Sequence, residues 1–179
     1  MMKKKFGILF LAIFFVFIGS AYAELKIAVV NMQKALDECD AGKAAVEEMK
    51  KLYSAKQQEI NEKQNELKRM QEEINNQSSL LSEDAKQAKL DDYQKKLKDL
   101  KRFVADSNEE LKKKEQEFIS KIATDLKEVV EKLGKELKYD IILEVRESGV
   151  LYNSDKVDIT NLVVERYNKE WHANQNEAK

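Results

Sequence analysis

The sequence predicts an α+β chain, predominantly α: a small β body carrying one long antiparallel coiled-coil hairpin. Three observations carry that reading. Apolar residues recur every seven positions along two successive stretches, short β-branched runs stand at both ends of the helical region, and proline is absent while charged residues make up 36% of the chain. A solvated helix tolerates charge readily, whereas one interior proline costs it about 3 kcal/mol.

The chain opens with Lys3, Lys4 and Lys5, an apolar run from Phe6 to Ile18, and small residues at Ala21 and Ala23. This order reads as a secretory signal cleaved after Ala23, too short and wrongly flanked to be a membrane span. No cysteine follows the cleavage position, so no lipid anchor is expected, and the mature chain is expected to be exported. Fold reasoning excludes residues 1–23. The remainder, about 156 residues, suits one domain. Without the three leading lysines it holds 29 basic and 33 acidic residues, which gives no pull toward nucleic acid. Cys39 is the only cysteine, so an intrachain disulfide is impossible; it reads as a small packed residue in a helix.

Leu25 to Asn31 reads as a first strand. From Met32 the pattern is helical almost to Leu137, with Gly42 marking a kink or a break between a short first helix and the arm. The polar stretch Asn75 to Ser79 interrupts it, and Ser82 followed by Glu83 and Asp84 has the form of an N-cap with first-turn acids. A second strand, Tyr139 to Val145, holds three consecutive apolar residues, so both faces are expected to be covered. Glu147-Ser148-Gly149 predicts a tight turn into a third strand, Val150 to Asn153. A last amphipathic helix carries Leu162, Val163, Val164 and Tyr167, and a frayed polar tail is expected over 172–179. The expected organisation is thus a body from 24–41 and 134–171, and an arm from 42–133 that turns near 78–83.

Spacing within the arm makes the hairpin specific. Val46, Tyr53, Ile60, Leu67 and Ile74 recur every seven residues, as do Leu90, Leu97, Val104, Leu111 and Phe118 on the return. Pairing Ile74 with Leu90, Leu67 with Leu97, Ile60 with Val104, Tyr53 with Leu111 and Val46 with Phe118 gives residue numbers that total 164 every time. Two sevenfold rows meeting in antiparallel register predict a left-handed coiled coil. From Val46 to Leu81 each arm is about 54 Å long, at about 1.5 Å per residue. The second seam row is interrupted by Lys56, Lys63, Gln77, Ser107 and Lys114, so the arm is expected to bend and splay. Leu80 and Leu81 at the tip fit either a contact with another molecule or a membrane, or a cap on the seam.

Three short strands make a marginal sheet, and the second strand has apolar residues on both faces. A homo-oligomer assembled through the body is therefore expected, with Leu25, Ile27 and Val29 on one buried row and Ile141 and Leu143 beside them.

Little in the sequence supports catalysis. The single histidine, His172, lies in the tail; Cys39 has no histidine near it in sequence; and none of the five glycines starts a phosphate loop. No catalytic residue, metal or cofactor is expected.

Ile27-Ala28-Val29-Val30-Asn31-Met32-Gln33-Lys34-Ala35-Leu36 resembles the opening strand and helix start of the Skp (OmpH-like) periplasmic chaperones. Val150 to Ser154 followed by Asp155 to Thr160 is similar to that family's C-terminal signature, and the order of elements matches over the mature chain. The resemblance implies a homotrimer whose three hairpins enclose a cavity for unfolded outer-membrane β-barrel proteins, working without ATP. The chain departs from strongly basic members: Glu62 to Arg102 holds 10 basic and 9 acidic residues. Lys95, Lys96, Lys98, Lys101 and Arg102 stand among acids, as on an ordinary solvated face. Any membrane or lipopolysaccharide contact is accordingly expected to be weak. The rival reading is a structural spacer or adaptor that binds one folded envelope partner.

Overall fold

A computed structural model describes residues 25–77 and 80–177. The expected export signal, residues 1–23, and the two serines at the expected reversal lie outside the described residues. The elements run β1 (Ile27–Val30), α1 (Met32–Glu38), α2 (Asp40–Gln77), α3 (Glu83–Leu137), β2 (Ile141–Glu144) and α4 (Thr160–Glu177). The chain is α+β and mostly helical, with a small sheet at the foot of a long hairpin.

Asn31 starts α1: its backbone is extended, and its side chain accepts the Lys34 N–H at 2.9 Å. The break expected near Gly42 falls at Cys39, whose ψ of 154° ends α1. Gly42 is what lets the two helices meet so closely, because a Cβ there would fall on the Leu36 carbonyl oxygen. Cys39 is fully buried at this junction rather than inside a helix, and its Sγ accepts the Gly42 N–H at 3.3 Å. Burial pushes the thiol above its ordinary value of 9.0. Two outcomes are expected from this environment. The folded protein resists alkylation at neutral pH and reacts promptly in urea. In addition, because the unfolded thiol ionises first, the contribution of Cys39 is full below pH 9 and declines above it. Denaturation of wild type and Cys39→Ser at pH 7 and pH 10 measures the second; an equal loss in both proteins counts against it.

Ser82 caps α3, its Oγ accepting the Ala85 N–H at 3.3 Å. The helix ends at Lys138, which takes the left-handed conformation (φ 55°) with its N–H on the Gly134 carbonyl. Ion pairs across the arm join Lys56 to Glu110 at 2.8 Å, Glu66 to Lys96 at 2.7 Å and Glu73 to Lys89 at 3.4 Å. Their residue numbers total 166, 162 and 162, bracketing the antiparallel total of 164. The Lys96 ammonium holds the Glu66 carboxyl below the ordinary glutamate range.

β1 and β2 are parallel, with Ile27 opposite Ile141 and Val29 opposite Leu143. The expected third strand is absent: Val150 to Asn153 is irregular, Leu151 is 100% exposed and Tyr152 85%. The far side of β1 is taken instead by 157–159, where the Val29 N–H donates to Val157 O at 2.8 Å and Ile159 N–H to Val29 O at 2.9 Å. With both edges of β1 occupied, only the outer edge of β2 remains, and the described residues add no strand there. Glu144 organises that turn: Oε2 accepts the Arg146 and Glu147 N–H groups at 2.6 Å each, while Oε1 accepts the Met32 N–H at 3.2 Å.

The core joins Ala28 and Val30 of β1, Ala35 of α1, Leu126, Val129 and Leu133 of α3, and Val163 and Tyr167 of α4. It reaches back along α3 to Ile122, well past residue 133, so the body includes several turns assigned from sequence to the arm. The tail from 172 is not frayed through the described residues, since α4 runs to Glu177. His172 Nε2 lies 2.9 Å from Asp40 Oδ2, and Asn168 Oδ1 accepts the Asp40 N–H, so the end of α4 is tied to the start of α2.

Candidate functional site

Two surfaces stand out: the seam of the arm, and an open apolar face on the body. In the seam Leu67, Ile74 and Leu111 are buried, while Ile60, Leu90, Leu97, Val104 and Phe118 are half-buried. Val46 and Tyr53 depart from expectation, being 53% and 49% exposed. Met49 and Leu52 turn inward in their place. A straight helix of 3.6 residues per turn drifts by about 20° per heptad against a strict sevenfold row. Near the body α2 is anchored instead by buried Ala41, Gly42 and Met49.

Polar groups of the second seam row also lie inside. Lys56 is largely covered, its ammonium 5.7 Å from the Phe103 ring and paired with Glu110, which raises its pKa. Ser107 is buried with no hydrogen-bond partner for its hydroxyl among the described residues. A buried orphan hydroxyl costs about 1–3 kcal/mol, which weakens this level of the arm. At the tip Leu80 is 84% exposed and Leu81 half-buried.

On the body Leu25, Ile27 and Ile141 are exposed and Leu143 is half-buried. Val29, on the same side of β1 as Ile27, differs in being only 4% exposed; its backbone pairs with the 157–159 segment. Leu151 and Tyr152, in the irregular segment after β2, are exposed as well. The pairing that buries Val29 is non-local and leaves no mark on the alternation of Leu25, Ile27 and Val29.

A cleft of about 640 Å3 lies between α4 and the root of the hairpin, with Ala45, Phe118, Asp125 and Trp171 among its walls. Across it Tyr167 donates to Asp125 Oδ2 at 3.1 Å; burial, then the Asp125 charge, push that phenol well up. No cluster of metal-binding side chains occurs among the described residues. No described helix is long and apolar enough to cross a membrane.

The family model for outer membrane protein (OmpH-like) matches residues 26–167. Among curated proteins none matches the sequence. A crystal structure described as an OmpH-like outer membrane chaperone from Caulobacter crescentus CB15 superposes with a TM-score of 0.77 at 17% identity, covering 81% of this chain and 85% of that one. At that identity the likeness is one of fold.

Proposed function

Because this chain belongs to the OmpH-like (Skp) family, a family of periplasmic chaperones for outer-membrane proteins, we propose that it is an ATP-independent holdase. Three copies join through their bodies, and their arms enclose unfolded outer-membrane β-barrel proteins. The observation that supports this reading best is the uncovered apolar face of the body beneath a hairpin with a thin, partly polar seam. Leu25, Ile27, Ile141, Leu151 and Tyr152 call for cover that one chain does not supply. Their burial against further copies would project several arms from one base. A holdase must bind many sequences loosely, so its contacts have to be weak and numerous, and enclosure keeps client strand edges from pairing with one another. Arms that bend at the Lys56–Ser107 level can adjust to clients of different size.

The test uses the mature protein at a near-stoichiometric ratio of trimer to client. It is expected to keep a urea-diluted outer-membrane barrel from aggregating, and light scattering is expected to give the mass of three chains. A folded protein that suppresses nothing, or that stays monomeric, would defeat the proposal. Recovery of one folded envelope partner, in place of a spread of unfolded barrels, would favour the adaptor instead.

A further inference from the structure

We infer that one flank of the hairpin root, carrying Val46, Tyr53 and Ile119, is the surface on which an extended amphipathic segment of a client docks; this rests on the chaperone reading above. All three side chains are about half exposed although each is large and apolar. Helix geometry places them together. Ala45 and Phe118 both line the cleft under α4, and Val46 and Ile119 lie one residue beyond them, about 100° further round each helix. In antiparallel helices that step turns in opposite senses, so it reaches the same flank of the hairpin from both arms. Tyr53 stands seven residues above Val46, on nearly the same line. α4 covers the other flank.

Below Ile119 the flank closes, because Leu126 and Leu133, on nearly the same line of α3, are fully buried in the core. Leu137 lies 18 residues, five turns, beyond Ile119 and is itself exposed at the foot of α3, where its carbonyl accepts the Lys26 ammonium at 2.7 Å.

Folding leaves these side chains out while covering Lys56 and Ser107 further up the arm, so they contribute little to the hairpin itself. The occupant follows from area. Three half-exposed side chains offer only a few hundred Å2, far short of the roughly 1,200 Å2 that a stable protein interface buries. Such a patch suits a transient contact with a short strand bearing apolar residues on alternate positions, the pattern that membrane β-barrels carry along every strand. An exposed tyrosine adds a contact that presents both an apolar ring and a hydroxyl.

The experiment places a benzophenone amino acid in the full mature chain, at position 53 or at position 55, which lies about 200° away on the opposite flank and is also exposed. A urea-diluted outer-membrane barrel is the probe. Crosslinks to the barrel are expected at 53 and only at background at 55. A combined Val46→Ser, Tyr53→Ser and Ile119→Ser variant, with circular dichroism and mass unchanged, is expected to bind the barrel about tenfold more weakly. Equal crosslinking at both positions, crosslinks at 53 to another copy of this chain, or undiminished binding by the variant would each overturn the assignment while leaving the holdase reading intact. Failure of the wild-type protein to bind any barrel would overturn both.

Discussion

Truncating Leu126 to alanine is expected to lower the free energy of unfolding by about 3–5 kcal/mol. Leu126 is fully buried in α3, in the cluster that joins β1, α1, α3 and α4. Its neighbours hang on four different elements, so none can move alone to fill the space; the cost is therefore lost transfer energy plus a persistent cavity. With a domain's total stability at about 5–15 kcal/mol, the variant should show a much lower urea midpoint at equal protein concentration. Leu67→Ala is the contrast. Leu67 is buried too, at 7% exposure, but in a two-helix arm whose sides face solvent and can close in. Its cost should lie near the low end, about 2 kcal/mol. Equal losses for the two variants would show that the arm is packed as rigidly as the body, against the weak-seam reading.

Gly42→Ala is the second substitution with a large expected effect, and two opposed terms decide its sign. In an unhindered helix the change would gain about 1 kcal/mol from helix propensity. Here the added methyl would meet the Leu36 backbone carbonyl, which cannot rotate away as a side chain would. Forcing an extra carbon into a tight backbone contact costs about 1–3 kcal/mol, occasionally more. Repulsion should prevail, so the variant is expected to lose about 2 kcal/mol, and Gly42→Val more because its branched side chain adds bulk at the same point. The readout is again the urea midpoint, together with the rate of Cys39 alkylation, which should rise as the α1–α2 junction opens. A midpoint equal to or above wild type would mean that the two helices do not depend on this approach.

Most of the hairpin was legible in the sequence. Helical periodicity, the Ser82 cap and the reversal are set by residues within a few positions of one another, and the constant pair total turned two local rows into a register. Similar short-range logic exposed the first and second strands. What failed depended on partners far along the chain. Val150 to Asn153 has the composition of a strand, yet a strand exists only where a neighbouring edge is free, and segment 157–159 already occupies β1. Val29 alternates with Leu25 and Ile27, yet it is buried where its backbone pairs with that segment, while the others stay open. His172 looked like part of a loose tail until Asp40, 132 positions away, met its ring.

The candidate surface divides in the same way. Sequence alone determined that this chain would carry a long, thinly sealed antiparallel arm on a small body short of cover, because periodicity and composition are properties of neighbouring residues. Only the tertiary structure decided which of the sevenfold residues close the seam and which, like Val46 and Tyr53, are turned out to the flank. That choice is made at the root, where the Gly42–Leu36 contact and the buried core orient α2 before its heptads can drift back into line.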